Sequence, residues 1–397
     1  MILPAEYQVL AAAATPGGTT AARPPDNVWS GVRWHRLTAL ADWHRLGPLL
    51  HRRVALPDEA PDHVSERLEL DYLETAARNL YLLDQLTVIQ QALDAEGIRA
   101  MPLKGAALVQ TVYPEPALRP MRDLDILVAP SMIARAQQAV VALGFRAVPP
   151  VAGVEGSEGW MATHHHHLPA LVSPGEVFAV ELHHHIVGPS DPSHFEISGF
   201  WERARPGENG SRVFPAPEDL LVHVALHFTR NRLWRSDGSM GQLADVAWIV
   251  EREPLDWEAL IARAGPDNVA ASLFIALYSA QRLLGLAVPA DALNRLQPPG
   301  FHDRQGQRFV ECRVLRDRSW LPLEYLTKRR PPMMRAIPDR AYLARQHGGN
   351  GTTSVSSLYV HRAAAAVRRY GPSLVRPRER IADLRLNRWM RSLERRT

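Results

Sequence analysis

Between Met101 and Pro130 the hydrophobic pattern changes period twice. A short apolar run ends at Lys104-Gly105, and a stretch of helical character follows over Ala106–Val112. A Pro-bounded turn carries Arg119 and Arg122 into Asp123-Leu124-Asp125-Ile126-Leu127-Val128. Residues i and i+2 of a strand face the same way. The pattern therefore predicts Asp123 and Asp125 side by side on one face, with Leu124 and Ile126 turned to the other or into a core.

Upstream, Leu70, Leu73, Ala77, Leu80, Leu83, Leu86 and Leu93 recur at 3–4 spacing. They predict one long helix from Pro61 to about Glu96, with Asp62 as N-cap and Gly97 as stop. Residues 1–60 read as helical and loop-rich, with Trp29, Trp34, Leu37 and Trp43 as core candidates. Downstream, a strand is expected at Ile98–Leu103, and a helix at Met132–Leu143 capped by Ser131 and closed by Gly144. A short strand follows at Phe145–Val148. Strands around His165–Val172 and Val177–His185 form a hairpin through Ser173-Pro174-Gly175-Glu176. Helical periodicity returns at Glu218–Phe228, Leu243–Glu251, Trp257–Ala264 and Val269–Leu284. Arg329–Pro332 reads as a linker, His347–Thr353 as a Gly-rich segment, and Tyr359–Tyr370 and Pro377–Leu393 as basic helices. The fold class is α+β, a small mixed-sheet core embedded in a mostly helical chain. The expected divisions are 1–97 (helical), 98–200 (the α/β core), 201–300 (helices closing a cleft) and 301–397 (basic and helical).

With 397 residues, 46% of them hydrophobic, two or three cores are affordable. No run of about 18 apolar residues occurs, so no membrane-spanning helix is expected. The start of the chain has no basic stretch of the secretory type, so a cytoplasmic protein is expected. Cys312 is the single cysteine, which excludes an internal disulfide and a cysteine-based zinc site. The net charge of +4 conceals a tail, Val367–Thr397, with ten Arg against three acidic residues. Such a tail reads as a solvated face or as a contact for an acidic or phosphate-bearing partner. Lys104 and Lys328 are the only lysines among 46 basic residues, so a lysine directly before Gly105 stands out.

The chemistry follows from the carboxylates. Asp123 and Asp125 raise each other's pKa unless a cation lies between them, and Mg²⁺ favours such oxygen ligands. Glu181 is one acid in an apolar strand. It either faces water at an edge or joins the two aspartates as a third metal ligand. A helix opening at Gly105 offers free N–H groups to a phosphate, with Lys104, Arg119 and Arg122 to neutralise its oxygens.

Leu103-Lys104-Gly105, Tyr113-Pro114, Arg119-Pro120-Met121, Asp123-Leu124-Asp125 and Val180-Glu181-Leu182-His183 occur in that order. Together they resemble the DNA polymerase β-like nucleotidyltransferase superfamily, and within it a bacterial family of uncharacterised nucleotidyltransferases. Ala77-Arg78-Asn79, Asp219-Leu220-Leu221, His223, His227, Asp245 and Trp257 extend the likeness over roughly residues 45–290. The resemblance implies Mg²⁺-dependent transfer of an NMP from an NTP to an acceptor hydroxyl, with pyrophosphate released. Asp123, Asp125 and Glu181 would be catalytic and hold two Mg²⁺ ions. One departure stands out: Ala106 follows Gly105 where the superfamily usually has Ser or Gly. It favours an alternative, a catalytically inactive nucleotide- or partner-binding member of the same fold.

Seven of the 17 histidines lie in His164–His167 and His183–His185. They suggest a polar lining beside Glu181 more than a histidine metal site or a metal-dependent hydrolase, since neighbouring strand residues point oppositely. If the two strands pair, His165 or His167 meets His183 or His185. His183, His185, His223, His227 and Asp245 are candidate linings of the cleft or acceptor pocket. Arg230, Arg232 and Arg235 read as exposed arginines, with triphosphate contact as the alternative. The expected partners are an NTP and an acceptor that is a small molecule, peptide or protein rather than RNA, because no aromatic-rich RNA-binding signature occurs.

Overall fold

Helices in the computed structural model are α1 (Ala5–Ala14), α2 (Trp34–His44), α3 (Gly47–Arg53), α4 (Asp62–Ala95), α5 (Lys104–Thr111), α6 (Ile133–Ala142) and α7 (Ile197–Glu202). They continue as α8 (Pro217–Arg230), α9 (Met240–Arg252), α10 (Trp257–Ala264), α11 (Ala270–Leu284), α12 (Ala290–Leu296) and α13 (Asp303–Arg313). The strands are β1 (Ala100–Pro102), β2 (Asp123–Val128), β3 (Arg146–Ala147), β4 (Leu171–Val172), β5 (Ala179–His183), β6 (Arg205–Pro206) and β7 (Val213–Phe214). The structure describes residues 3–17, 24–147, 165–189, 191–194, 196–207, 212–230, 240–315, 389–390 and 392–393. His164, Arg232, Arg235, Lys328, the expected linker, the Gly-rich segment, helix 359–370 and most of 377–393 lie outside these residues.

The mixed five-stranded sheet has the order β1-β2-β5-β4-β3. β2 runs parallel to β5, and the other neighbours are antiparallel. β4, the turn Pro174–Glu176 and β5 form the expected hairpin, with shorter strands than the apolar runs suggest. Alternate residues of β2 and β5 enter one core: Leu124, Ile126, Val128, Val180 and Leu182 pack with Leu82, Leu86, Ile89 and Leu93 of α4 and with Ala136 and Val140 of α6. α1–α3 and α8–α11 build a second, larger core around Trp248. Trp389, Met390 and Leu393 also pack against it.

α5 lies between these cores. Ala106 and Val109 belong to the sheet core, whereas Ala107 and Leu108 belong to the helical one. An eight-residue helix apolar on both sides is thus held where sheet meets helices, and its N-terminus opens at the seam.

α4 corrects one expectation. Its 34 residues are a single helix, but Pro61 takes the N-cap position and Asp62 is the first helical residue. Leu70, Leu73 and Leu80 are 46%, 54% and 61% exposed. The buried stripe is Val64, Leu68, Thr75, Asn79, Leu82, Leu86, Ile89, Gln90 and Leu93. Polar Thr75 and Asn79 disguise this face in the sequence, yet Asn79 is fully satisfied within it. Its Nδ2 donates to the carbonyls of Pro116 and Arg119 at 2.6 and 2.8 Å, and its Oδ1 accepts from the Met121 N–H. Trp29, Trp34 and Trp43 are half-buried, and Leu37 alone of that set is fully buried.

Candidate active site

Register brings the acids together. Asp125 pairs with Glu181 across the parallel β2–β5 interface, and Asp123 pairs with Ala179. Because side chains alternate, Asp123, Asp125, Glu181 and His183 share the face away from Leu124 and Val180. Asp125 is buried, and its Oδ1 accepts from Lys104 Nζ at 2.7 Å and His183 Nε2 at 2.8 Å. Glu181 Oε2 lies 3.7 Å from His183 Nε2 and 4.0 Å from His167 Nε2. His167 sits opposite His183 in an antiparallel bridge, so the predicted meeting of the two histidine runs occurs at this pair.

The charges divide unevenly. Burial opposes ionisation of Asp125, but Lys104 and His183 outweigh it and hold the carboxyl well below the usual range. Asp123 opens onto the cavity with no such partners among the hydrogen-bonded groups. Desolvation, then Asp125 and Glu181, push it up to about 6. Burial also works against the Lys104 ammonium, and Asp125, Glu181 and Asp123 more than restore it.

Lys104 occupies the strand-to-helix turn at φ 45°, in the left-handed region. For a residue with a Cβ this costs on the order of 1–3 kcal/mol, a strain that clusters at functional sites. Glycine at the next position leaves room for two side chains. A Cβ on Gly105 would press on Arg119 Nη1 and stand 3.0 Å from Met121 Cγ. Arg119 is in turn clamped by Asp245 of α9, its Nε and Nη2 donating at 3.2 and 3.0 Å. Tyr113 OH donates to the same carboxylate at 2.9 Å, and its ring stacks on Trp248. Arg78 holds the loop from the other side by donating to the Met121 and Arg122 carbonyls.

A cavity of about 330 Å³ opens at this seam. Lys104, Gly105, Arg119, Arg122, Asp123 and Asp125 line one side, and His227, Gln242 and Asp245 the other. His223 lies behind it, buried and lowered to about 3 by desolvation with Lys104 and His183 nearby. His185 meets the His184 ring edge-on and is not part of the lining. Arg230 pairs with Asp191 and Ser193, an ion pair within the fold. A larger cavity of about 840 Å³ between Trp29, Trp34 and Arg53 contains none of the predicted site residues.

Sequence reasoning missed the clamp roles of Asn79, Tyr113 and Asp245, as well as Gln242, which bonds His227 at 2.6 Å. Tyr113-Pro114 and Arg78-Asn79 were visible as motifs, but their partners lie more than a hundred or about forty residues away. Ala106 is 1% exposed in the sheet core and does not line the cavity.

The donor set fits a divalent cation. Asp125, Glu181 and His183 bring potential ligand atoms within 4.8 Å of one another. Asp123 is an acid that a cation would relieve of its neighbours' charge.

In this mixed α/β protein, carboxylates from two adjacent strands face a helix N-terminus and a rim of arginine. The chain belongs to the family described as uncharacterised nucleotidyltransferase, which matches residues 30–285. No curated protein matches it. Among solved structures, it is similar to an antigenic nucleotidyltransferase-like protein from Paracoccidioides brasiliensis, at 18% identity and a TM-score of 0.30, over 53% of this chain and 95% of that one. No helix among the described residues is long and apolar enough to cross a membrane.

Proposed function

We propose that the chain is a Mg²⁺-dependent nucleotidyltransferase of the polymerase β-like superfamily, moving an NMP from an NTP to an acceptor hydroxyl. The observation that carries this reading is the registered pairing of Asp125 with Glu181, with Asp123 on the same face. Asp123, Asp125 and Glu181 would hold the Mg²⁺ ions, which supply charge stabilisation at the transferred phosphate and activation of the acceptor hydroxyl. The first-turn N–H groups of α5 have no intrahelical partners and face an anion favourably. Lys104 and Arg122 add positive charge at the same rim. Arg119, fixed by Asp245, is pre-positioned rather than free to swing, which lowers the ordering cost of binding. His227, Gln242 and Asp245 of α8 and α9 line the far wall, and in this reading the helices of 201–300 would close the cleft over the 98–200 core.

The alternative, an inactive member of the fold, drew its support from Ala106. That methyl group packs in the core rather than the cavity, so the missing hydroxyl removes no cavity group. The acceptor is a small molecule, peptide or protein side chain in the cytoplasm.

The test is incubation of the protein with cell extract, Mg²⁺ and each labelled NTP, followed by mass spectrometry for an NMP adduct. An adduct that requires Mg²⁺ and disappears in Asp125→Asn is expected. NTP binding indifferent to Mg²⁺ and to Asp123→Asn, with no adduct from any NTP, would overturn the reading.

A further inference from the structure

α4 carries two apolar faces, and the fold covers one of them. On the outer face, Leu70, Leu73, Ala77 and Leu80 recur at helical spacing and are exposed, and Tyr81 and Val88 continue the row. Residues three and four apart are neighbours on a helix surface. At 1.5 Å per residue the stripe from Leu70 to Val88 is about 27 Å long. It also runs off the helix. The Tyr81 ring meets Phe178 edge-on at 5.8 Å, and Val177 beside it is exposed. A contiguous apolar patch of this kind, rimmed by polar residues, marks an interaction surface, as singly scattered apolar residues do not.

The free charges beside the stripe have one sign. Glu66, Glu69, Glu74 and Asp84 are exposed and form no ion pair among the described residues. The two arginines of α4 are engaged elsewhere, Arg67 with Asp42 and Asp71, and Arg78 with the carbonyls of Met121, Arg122 and Val177. A groove of about 520 Å³ runs beside the stripe, walled by Asp71, Glu74 and Arg78 on α4 and by Pro120, Met121 and Arg122 opposite. Burial and then Asp42 push the Asp71 carboxyl up against the pull of Arg67, so this wall also gains from an added cation. Pro120 and Arg122 line both the groove and the cleft that holds Asp123.

We propose that the outer face of α4 docks a basic amphipathic helix of a partner protein. The apolar side of that helix lies along Leu70, Leu73, Leu80 and Val88, the i, i+3, i+7 mode of helix recognition. Its Lys and Arg side chains meet Glu66, Glu69, Glu74 and Asp84, which steer and orient it. About five helical turns match the length of the stripe. A second copy of α4 would bring the same carboxylates face to face, which disfavours self-pairing. The groove gives the chain leaving the docked helix a route to the cleft. That this chain carries the acceptor hydroxyl rests on the nucleotidyl-transfer reading; the docking does not.

The experiment uses the full chain, without nucleotide or Mg²⁺, and fluorescein-labelled peptides of about five helical turns. One is built of Leu and Lys with leucines at i, i+3, i+4 and i+7, one has the same composition in scrambled order, and one replaces Lys by Glu. Fluorescence anisotropy at physiological ionic strength is the readout. The ordered Leu/Lys peptide should bind, and the other two at least about tenfold more weakly. Leu73→Gln and Leu80→Gln should each weaken that binding roughly tenfold, and Glu66→Lys combined with Glu69→Lys should weaken it and flatten its salt dependence. Val141→Gln, at an exposed apolar position on α6, should leave it unchanged. Equal binding by Leu73→Gln and Leu80→Gln, or equal loss in Val141→Gln, would show unspecific attraction and overturn the proposal. A dimer in sedimentation that Leu80→Gln dissolves would assign the face to a second copy and overturn it as well. Asp123→Asn should lose Mg²⁺-dependent NTP binding and keep the peptide, and Leu80→Gln should do the reverse, so this inference and the functional reading fail separately.

Discussion

Asp125 of β2 and Glu181 of β5 are direct neighbours across a parallel strand pair, and His183, two residues beyond Glu181, reaches back to bond Asp125 at 2.8 Å. One strand's acid is thus held by the other strand's base, and the cleft chemistry depends on their register.

Asp125→Asn keeps the shape of this contact and removes its charge. Metal-dependent electrostatic stabilisation is worth several kcal/mol, and each 1.36 kcal/mol is about tenfold in rate. Nucleotidyl transfer should fall about a thousandfold or more, measured as pyrophosphate release.

Gly105→Ala places a methyl against Arg119 Nη1 and the Met121 side chain. The methyl pushes on Arg119 Nη1 and should disturb the bidentate seat of Nε and Nη2 on Asp245, so KM for the NTP should rise, with a stability loss of about 1–3 kcal/mol. Ala106→Ser should instead destabilise without raising kcat, because it buries a hydroxyl in the sheet core. Paired thermal melts and initial rates separate the two.

Asp245→Ala takes the shared acceptor from the half-buried Arg119 guanidinium and the buried Tyr113 hydroxyl. Removing one partner of a fully buried ion pair costs about 3–5 kcal/mol, and the cost here should be smaller because Arg119 reaches the cavity, whereas Tyr113→Phe removes one hydrogen bond and should cost about 1 kcal/mol. Urea unfolding of both variants checks the difference.

His223 is neutral when folded, since burial lowers it from 6.5 to about 3. A depressed folded pKa means that the unfolded chain takes up the proton first. Its stabilisation is complete above pH 6.5 and is lost as pH falls from there toward 3, by at most about 1.4 kcal/mol per pH unit. In EDTA, His223→Met should show a shallower fall in Tm between pH 7 and 5 than the wild type. Parallel curves would contradict this.

The face of α4 gives a further check. Leu73→Gln, on the exposed stripe, should stay within about 0.5 kcal/mol of wild type. Leu82→Ala, in the sheet core, should cost about 2–5 kcal/mol.

Much of this molecule was legible from local pattern. Helices 217–230, 240–252, 257–264 and 270–284 follow apolar spacing to within a few residues, because all four pack into one helical core. α4 misled because it carries two apolar stripes, and the buried one contains Asn79. An amide is welcome there only because a loop some forty residues later needs its donors and acceptor. No window of sequence contains both halves of that exchange.

The sequence by itself determined that Asp123 and Asp125 share a face, that Glu181 and His183 share another, and that a lysine and a glycine open α5. These are consequences of strand alternation and turn stereochemistry, which act over a few residues. The tertiary structure alone decided that the two faces are one face, that Asp245 clamps Arg119, that Ala106 turns into the core, and that His167 rather than His165 stands beside Glu181. Those outcomes depend on strand register and on how α5 is gripped between two cores. Both are set by packing between segments far apart in the chain.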